Sequence, residues 1–385
     1  MKGSRHENRG LYLTNILQIQ IDRAKPLIED PNTGHNRWHP DILPLLKVPQ
    51  GQIVTLETRD ALDGMIVPTT TAKDLGHVEM GRIHPLTGPV YIEGAEPGDL
   101  LAVEIIELKP QPFGFTLLMP GFGILRDYFP DPFIVVWEIA NGVALSGQLP
   151  GIKIPGAPFM GVMGVAPSHN LLRQIQDRET ELHKRGGVVL LPTPEGAIPR
   201  SEPIASTGLR TIPPRENGGN IDIRHLTPGT TFYLPVFVSG ALFSAGDAHF
   251  AQGDCESCGT AIEMGATVKV RFSVLKSAAL PAHMRGLHYE RSSSTPAKSA
   301  AEGAYYATTG MPITPEGTNE SEDTTLAAKN ALLSMIDYLV RNDGFTREQA
   351  YVITSVAVDL HLSQLVDVPN VLVSAFLPRG IFCRQ

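Results

Sequence analysis

Apolar and polar residues trade places along short runs of this chain: Gln52–Arg59 (QIVTLETR), Leu100–Leu108 (LLAVEIIEL), Phe133–Ile139 (FIVVWEI), Thr231–Val238 (TFYLPVFV) and Ala266–Leu275 (ATVKVRFSVL). Several keep a period of two, which puts one face of the run against a core and the other toward water, as a half-buried strand requires. Turn signals such as Glu96-Pro97-Gly98-Asp99 separate the runs. Strands joined by tight turns pair antiparallel, so residues 1–275 are expected to form a β-sandwich or barrel, jelly-roll-like in type.

The C-terminal part has another rhythm. Leu332, Met335, Ile336, Leu339 and Val340 sit at helical spacing. Gly344 follows where a left-handed cap is cheap, and Thr346 with Gln349 forms a capping box for a second helix running to about Leu362. Ser277–Glu322 is polar and rich in Ser, Thr, Ala and Gly, so 276–322 reads as a long connection and 323–385 as a helical part packed on the sandwich. The expected fold is mainly β with additional C-terminal helices, α+β overall, in a single domain over 1–385.

Composition narrows the function. Acidic residues exceed basic ones by 40 to 32, for a net charge of −8. That argues against a nucleic-acid partner, because phosphate binding needs a basic face. No run reaches the roughly 18 apolar residues a spanning helix needs, so no membrane partner is expected. The N-terminus MKGSRHENRG is charged and leads into no apolar stretch, so it does not read as a signal peptide. Three cysteines are too few for a disulfide framework, fit a reducing compartment and point to the cytoplasm.

Chemistry concentrates in Ser244–Glu263 (SAGDAHFAQGDCESCGTAIE). Asp247 and His249 stand two apart, so extended chain would project both from one face. Asp254 and Glu256 repeat that spacing, and Glu263 closes the segment. Carboxylates and imidazole suit a hard or borderline divalent cation. Any one of these residues alone would more simply cap a turn; five in one glycine-rich stretch favour a site. Cys255 and Cys258 form a C-x-x-C without a second pair, so a structural zinc site is not indicated, and packing is the simpler role. His84 precedes a turn and alone would read as a satisfied structural histidine. Asp60 and Asp63 suit a turn as well as a site. Trp38 and His39, in HNRWHPDI, either line a pocket or close the N-terminus over the sheet.

The set of segments resembles the Acetamidase/Formamidase family. The carriers are HNRWHPDI from His35, TRDA from Thr58, HPLTGPVYIEGAEPGDLL from His84, PFMGVMGVAP from Pro158, ENGGNID from Glu216, LPVFVSGALFSAGDAHFAQGDCESCGTAIE from Leu234 and SVAVDLHLSQLVDVPN from Ser355. The resemblance implies hydrolysis of a small amide such as formamide or acetamide, a bound divalent metal (zinc or calcium) and a homo-oligomer, dimer or higher. The sequence departs from the family's usual Gly at Cys255, whose side chain either narrows the pocket or sits outside it.

On that reading Asp60, His84, Asp247 and His249 are the expected metal ligands. Glu256 is the expected general base and then acid, with Glu263 able to exchange roles with it. Trp38, His39 and Cys255 are expected to shape the substrate pocket. Two other functions stay open. A cysteine-dependent amidase would use Cys255 or Cys258, although no oriented Cys–His–acid set can be read from the chain. A metal-stabilised protein that binds a small ligand without turnover would use the same acidic cluster.

Overall fold

The computed structural model describes residues 17–280, 286–291 and 303–383. The charged N-terminus and parts of the 276–322 connection lie outside the described residues. Two large sheets carry the architecture. The first runs, in spatial order, Gln18–Ile19, Ile53–Thr58, Ala266–Leu275, Leu100–Pro110, Thr230–Pro235 and His288–Arg291. Its central strands alternate strictly: Thr230–Pro235 and most of Ala266–Leu275 bury every second residue. Those residues meet the second sheet in one apolar cluster that includes Val54, Val103, Val270, Met160 and Phe243. Phe272 and Phe243 meet edge to face across it, ring centroids 5.1 Å apart. Full burial of a Phe is worth about 1.5–3 kcal/mol, so pairs of this kind hold the layers together.

The second sheet holds the chemistry. Its relevant strands are β1 (Leu86–Ile92), β2 (Phe113–Leu118), β3 (Phe159–Gly164), β4 (Phe243–His249) and β5 (Glu263–Met264). β4 lies between β3 and β5 and also pairs with β1. Every residue of β4 is buried, so no alternation marks it in sequence.

Among the described residues three longer helices complete the fold: α1 (His169–Lys184), α2 (Thr324–Asp343) and α3 (Arg347–Ala357). Gly344 takes the left-handed conformation after α2, φ 74°, and Thr346 and Gln349 form the capping box of α3. The helix α3 stops at Ala357, short of Leu362, because Asp359–Gln364 leaves as a strand and pairs with Leu372–Pro378. Tyr305–Gly310 joins the other side of that strand. The connection and the C-terminal part are therefore less irregular and less helical than the residue pattern suggested. One apolar cluster runs from Ile19 to Ile381, so both parts share a core. Among the described residues no helix is long and apolar enough to cross a membrane.

Candidate active site

Strand register assembles the site. His249 and Glu263 are direct cross-strand partners in the β4–β5 ladder, and Nε2 of His249 lies 3.2 Å from Oε2 of Glu263. Asp247, two residues back on β4, puts Oδ1 3.4 Å from the same nitrogen. They converge, though not as regular extended chain: Asp247 has φ 55°. Left-handed conformations at non-glycine residues cost about 1–3 kcal/mol and cluster at functional sites. Asp222 (φ 44°) and Glu256 (φ 45°) share that conformation. His84 precedes β1, whose Leu86 pairs with Gly246, so its Nε2 reaches 4.0 Å from Oδ2 of Asp247.

Asp222 is the residue the sequence reading missed. Its Oδ1 stands 3.9 Å from Nε2 of His249. It is placed by Gly161 on β3, whose carbonyl accepts from the N–H groups of Ile221 (3.0 Å) and Asp222 (3.3 Å). Gly161 also lies under the cluster. A Cβ there would come within 2.7 Å of Asp222 Oδ1, 2.7 Å of Asp247 Oδ2 and 2.8 Å of His249 Nε2. Three potential ligand atoms thus converge above a residue that has no side chain. Both residues lie in segments that carried the family resemblance, PFMGVMGVAP and ENGGNID, but nothing in their local chemistry singled them out.

Gln252 fixes the state of His249. Its Nε2 donates to the backbone carbonyl of Asp222 (2.9 Å), which turns its Oε1 toward Nδ1 of His249 at 2.9 Å. Nδ1 then carries a proton, and Nε2 is left to face the carboxylates, where it either donates its own proton to them or offers its lone pair to a cation among them. Oδ1 of Asp222, Oδ1 of Asp247 and Oε2 of Glu263 are buried without a hydrogen-bond partner.

The electrostatics show the same excess of negative charge. Burial pushes the carboxyls of Glu256 and Glu263 up to about 8, and their carboxylate neighbours add to it. Asp222 is raised by burial and by Glu256. Burial also opposes ionisation of Asp247, but His84 and His249 outweigh it and hold that carboxyl below the usual range. The carboxylates around His249 raise its imidazole against the cost of burial. Four carboxyls face only two imidazoles, and a divalent cation would relieve the imbalance. Donor chemistry, orphaned oxygens and the space above Gly161 all fit such an ion.

A cavity of about 110 Å³ opens beside the cluster. Its lining combines a polar set, His84, Asn220, Asp247, Glu256 and Glu263, with an apolar set beside it, Leu62, Met80, Ile83, Phe115, Leu117 and their neighbours. The loop that carries Glu256 is clamped by α3 and the Val358 that follows it. Ser355 accepts from the Cys258 N–H (3.0 Å) and donates to the Thr260 carbonyl (2.8 Å), and Gly253 packs against the Val358 backbone.

The other expected residues sit elsewhere. Asp60 closes its own turn, Oδ1 accepting from the N–H groups of Leu62 (2.9 Å) and Gly64 (3.3 Å), and it joins no group of three potential ligands among the described residues. Trp38 is buried against Leu86, Val162 and α1. His39 accepts from the Asp41 N–H and faces His169. HNRWHPDI therefore closes the N-terminal part over the sheet. Arg37 is fully buried and donates to the carbonyls of Asn36, Gly81, Thr193 and Glu195. Cys255 is exposed and outside the cavity, whereas Cys258 lines it. Asp254 and Glu256 do not share a strand face: Asp254 turns toward Arg224 and His361.

Strained acidic residues and unpaired buried oxygens beside an apolar chamber mark a candidate enzyme site. Residues 20–384 match the profile of the Acetamidase/Formamidase family. The chain is similar to an acetamidase of Mycolicibacterium smegmatis (34% identity over 87% of this chain and 88% of that protein). It is also similar to a formamidase of Methylophilus methylotrophus (32% identity over 96% and 94%). Its fold matches the structure of a gamma lactamase from Delftia acidovorans with a TM-score of 0.89, at 33% identity, over 95% of this chain and 93% of that one. The chain belongs to the Acetamidase/Formamidase family and is an amidohydrolase.

Proposed function

We propose that the chain hydrolyses a small carboxamide of the formamide or acetamide type to a carboxylic acid and ammonia. In this reading Asp222, Asp247 and His249 hold a divalent cation, zinc or calcium, and Glu256 moves the protons. The observation that carries the reading is the convergence of Asp222, Asp247 and Glu263 on His249 Nε2, a nitrogen whose ring Gln252 orients through Nδ1. Such an array is repulsive until a cation or a proton lies within it.

An amide resists water because resonance strengthens C–N and the amine leaves poorly, so a proton must be taken from the nucleophile and given to the nitrogen. When bound, the ion acidifies a water molecule and polarises the amide carbonyl. Glu256 lines the cavity with its carboxyl raised to about 8, which suits a group that exchanges protons near neutral pH. As the water oxygen bonds to the carbonyl carbon, Glu256 takes the water proton. As C–N breaks, Glu256 returns it to the nitrogen, and ammonia leaves. Glu263, held by the Ala261 N–H at 2.8 Å, faces His249 and keeps its second oxygen toward the cluster. His84, buried and shifted toward its neutral form by that burial, braces Asp247.

A cysteine nucleophile is less well supported. Burial pushes the Cys258 thiol up to about 11, and Cys255 lies outside the cavity. The test is Glu256→Gln, assayed by ammonia release and metal content together. Turnover should fall by about 10²–10⁴ with the metal retained. Near-normal turnover would remove Glu256 from the chemistry. Because one structural relative is named a gamma lactamase, a γ-lactam belongs in the same panel, with ring opening read as the free amino acid.

A further inference from the structure

We infer that the apolar half of the cavity is an acyl subsite, and that the preferred substrates are primary carboxamides with an apolar acyl group of about three to five carbons, not formamide. The inference rests on the amide-hydrolase reading above and names the substrate class for it.

The cavity's two walls have opposite chemistry. The polar wall offers acceptors beside the proposed ligands: Oε2 of Glu263 and Oδ1 of Asn220 are buried and without hydrogen-bond partners. A primary carboxamide brings two N–H donors on one nitrogen, which suits such a wall; an N-alkyl amide brings one and adds bulk. Register sets the polar and apolar walls side by side: Asn220 pairs with Val162, and Glu263 pairs with His249 on one side and with Phe115, a member of the apolar wall, on the other. With carbonyl and nitrogen held there, the acyl substituent is the part left to cover the adjoining apolar wall.

That wall is a built apolar surface, separate from the main core. Leu62, Ile83, Phe115 and Leu117 belong to a second apolar cluster, with Met80 and Met119 packed against it. All six line the cavity. The volume of about 110 Å³ compares with the roughly 10–15 Å³ that one water needs on the same measure. Formamide has no carbon beyond its carbonyl to offer these side chains, and acetamide has a single methyl. A small amide would leave the apolar wall facing water, whereas each added methylene covers part of it. At about 0.8 kcal/mol per buried CH₂, kcat/KM should rise about fourfold per methylene while the wall is being covered.

The experiment uses the full chain and measures kcat/KM by ammonia release for formamide, acetamide, propionamide, butyramide and isobutyramide. The expected result is a rise from acetamide to butyramide of about fifteenfold, with formamide the poorest. Met119→Ser should lower the butyramide-to-acetamide ratio several-fold. Because it is a ratio on one preparation, it does not depend on how much of the variant folds. A flat or falling series with steady ammonia release, or an unchanged ratio in Met119→Ser, overturns the acyl subsite and leaves the amidase reading standing. No ammonia from any amide would overturn the amidase reading and this inference with it.

Discussion

Substituting Gly161 by Ala probes the cluster without touching a ligand. Gly161 is not held at positive φ, so an alanine backbone is acceptable there, and the consequence is steric. The new Cβ would sit 2.7 Å from Asp222 Oδ1, 2.7 Å from Asp247 Oδ2 and 2.8 Å from His249 Nε2. Ordinary contacts of that kind begin at about 3.4 Å, so the three atoms must retreat by roughly 0.6–0.7 Å or more. Ligand distances around a metal tolerate only about 0.2 Å. Metal affinity should therefore fall by at least the roughly 10–100-fold typical of disturbing a ligand's support. The cost to folding should be smaller, about 1–3 kcal/mol for one methyl in a packed strand. Metal content after dialysis, kcat/KM for a short amide and thermal unfolding in chelator would be measured side by side. A folded Gly161→Ala protein that keeps wild-type metal content and turnover would refute the convergence of these atoms on an ion.

Other consequences are independent of the metal. Asp99 accepts from the N–H groups of Glu96 (3.0 Å) and Ser277 (2.9 Å) and pairs with Lys276, which together outweigh its burial and hold its carboxyl below the usual range. The stability it supplies is present above the unfolded-state carboxyl range and lost as pH falls through the lower folded value; urea titration of Asp99→Asn should show a loss of about 1.5–3 kcal/mol at pH 7 that shrinks as pH falls below the usual carboxylate range. Ser355→Ala cuts two hydrogen bonds to the loop carrying Glu256. Stability should drop by about 1–3 kcal/mol, and kcat should fall while metal content holds. Arg37→Met would strip donors from four carbonyls and should cost about 3 kcal/mol or more by denaturant midpoint. N-ethylmaleimide should label exposed Cys255 and leave turnover intact; loss of activity on labelling would favour the thiol.

The half-exposed strands were legible because one face of each meets water: Ala266–Leu275 has the same bounds in the sequence pattern and in the fold. Strand β4 carried its chemistry in plain view, and Asp247, His249, Glu256 and Glu263 do meet. Asp222 and Gly161 were not visible, because their roles come from register across β3 and β4 and from a missing side chain, neither of which has a local pattern. Asp60 and Trp38 fit a site by residue type, but an aspartate in T-R-D-A-L-D-G equally satisfies its own turn, and a tryptophan beside a sheet has more apolar surface to bury than a small pocket offers. The helix α1, begun by the Ser168 cap, was missed among polar residues because only Leu171, Leu172 and Ile175 are buried on it. Leu372–Pro378 was missed as well, because its partners lie far off in sequence and the helices beside it set the local rhythm.

The most direct measurement is elemental analysis of the purified chain, followed by amide hydrolysis before chelation, after it and after the ion is restored. A stoichiometric zinc or calcium that leaves with activity and returns with it is the result expected from four carboxyls gathered around His249. Undiminished ammonia release from protein freed of all divalent metal would contradict it.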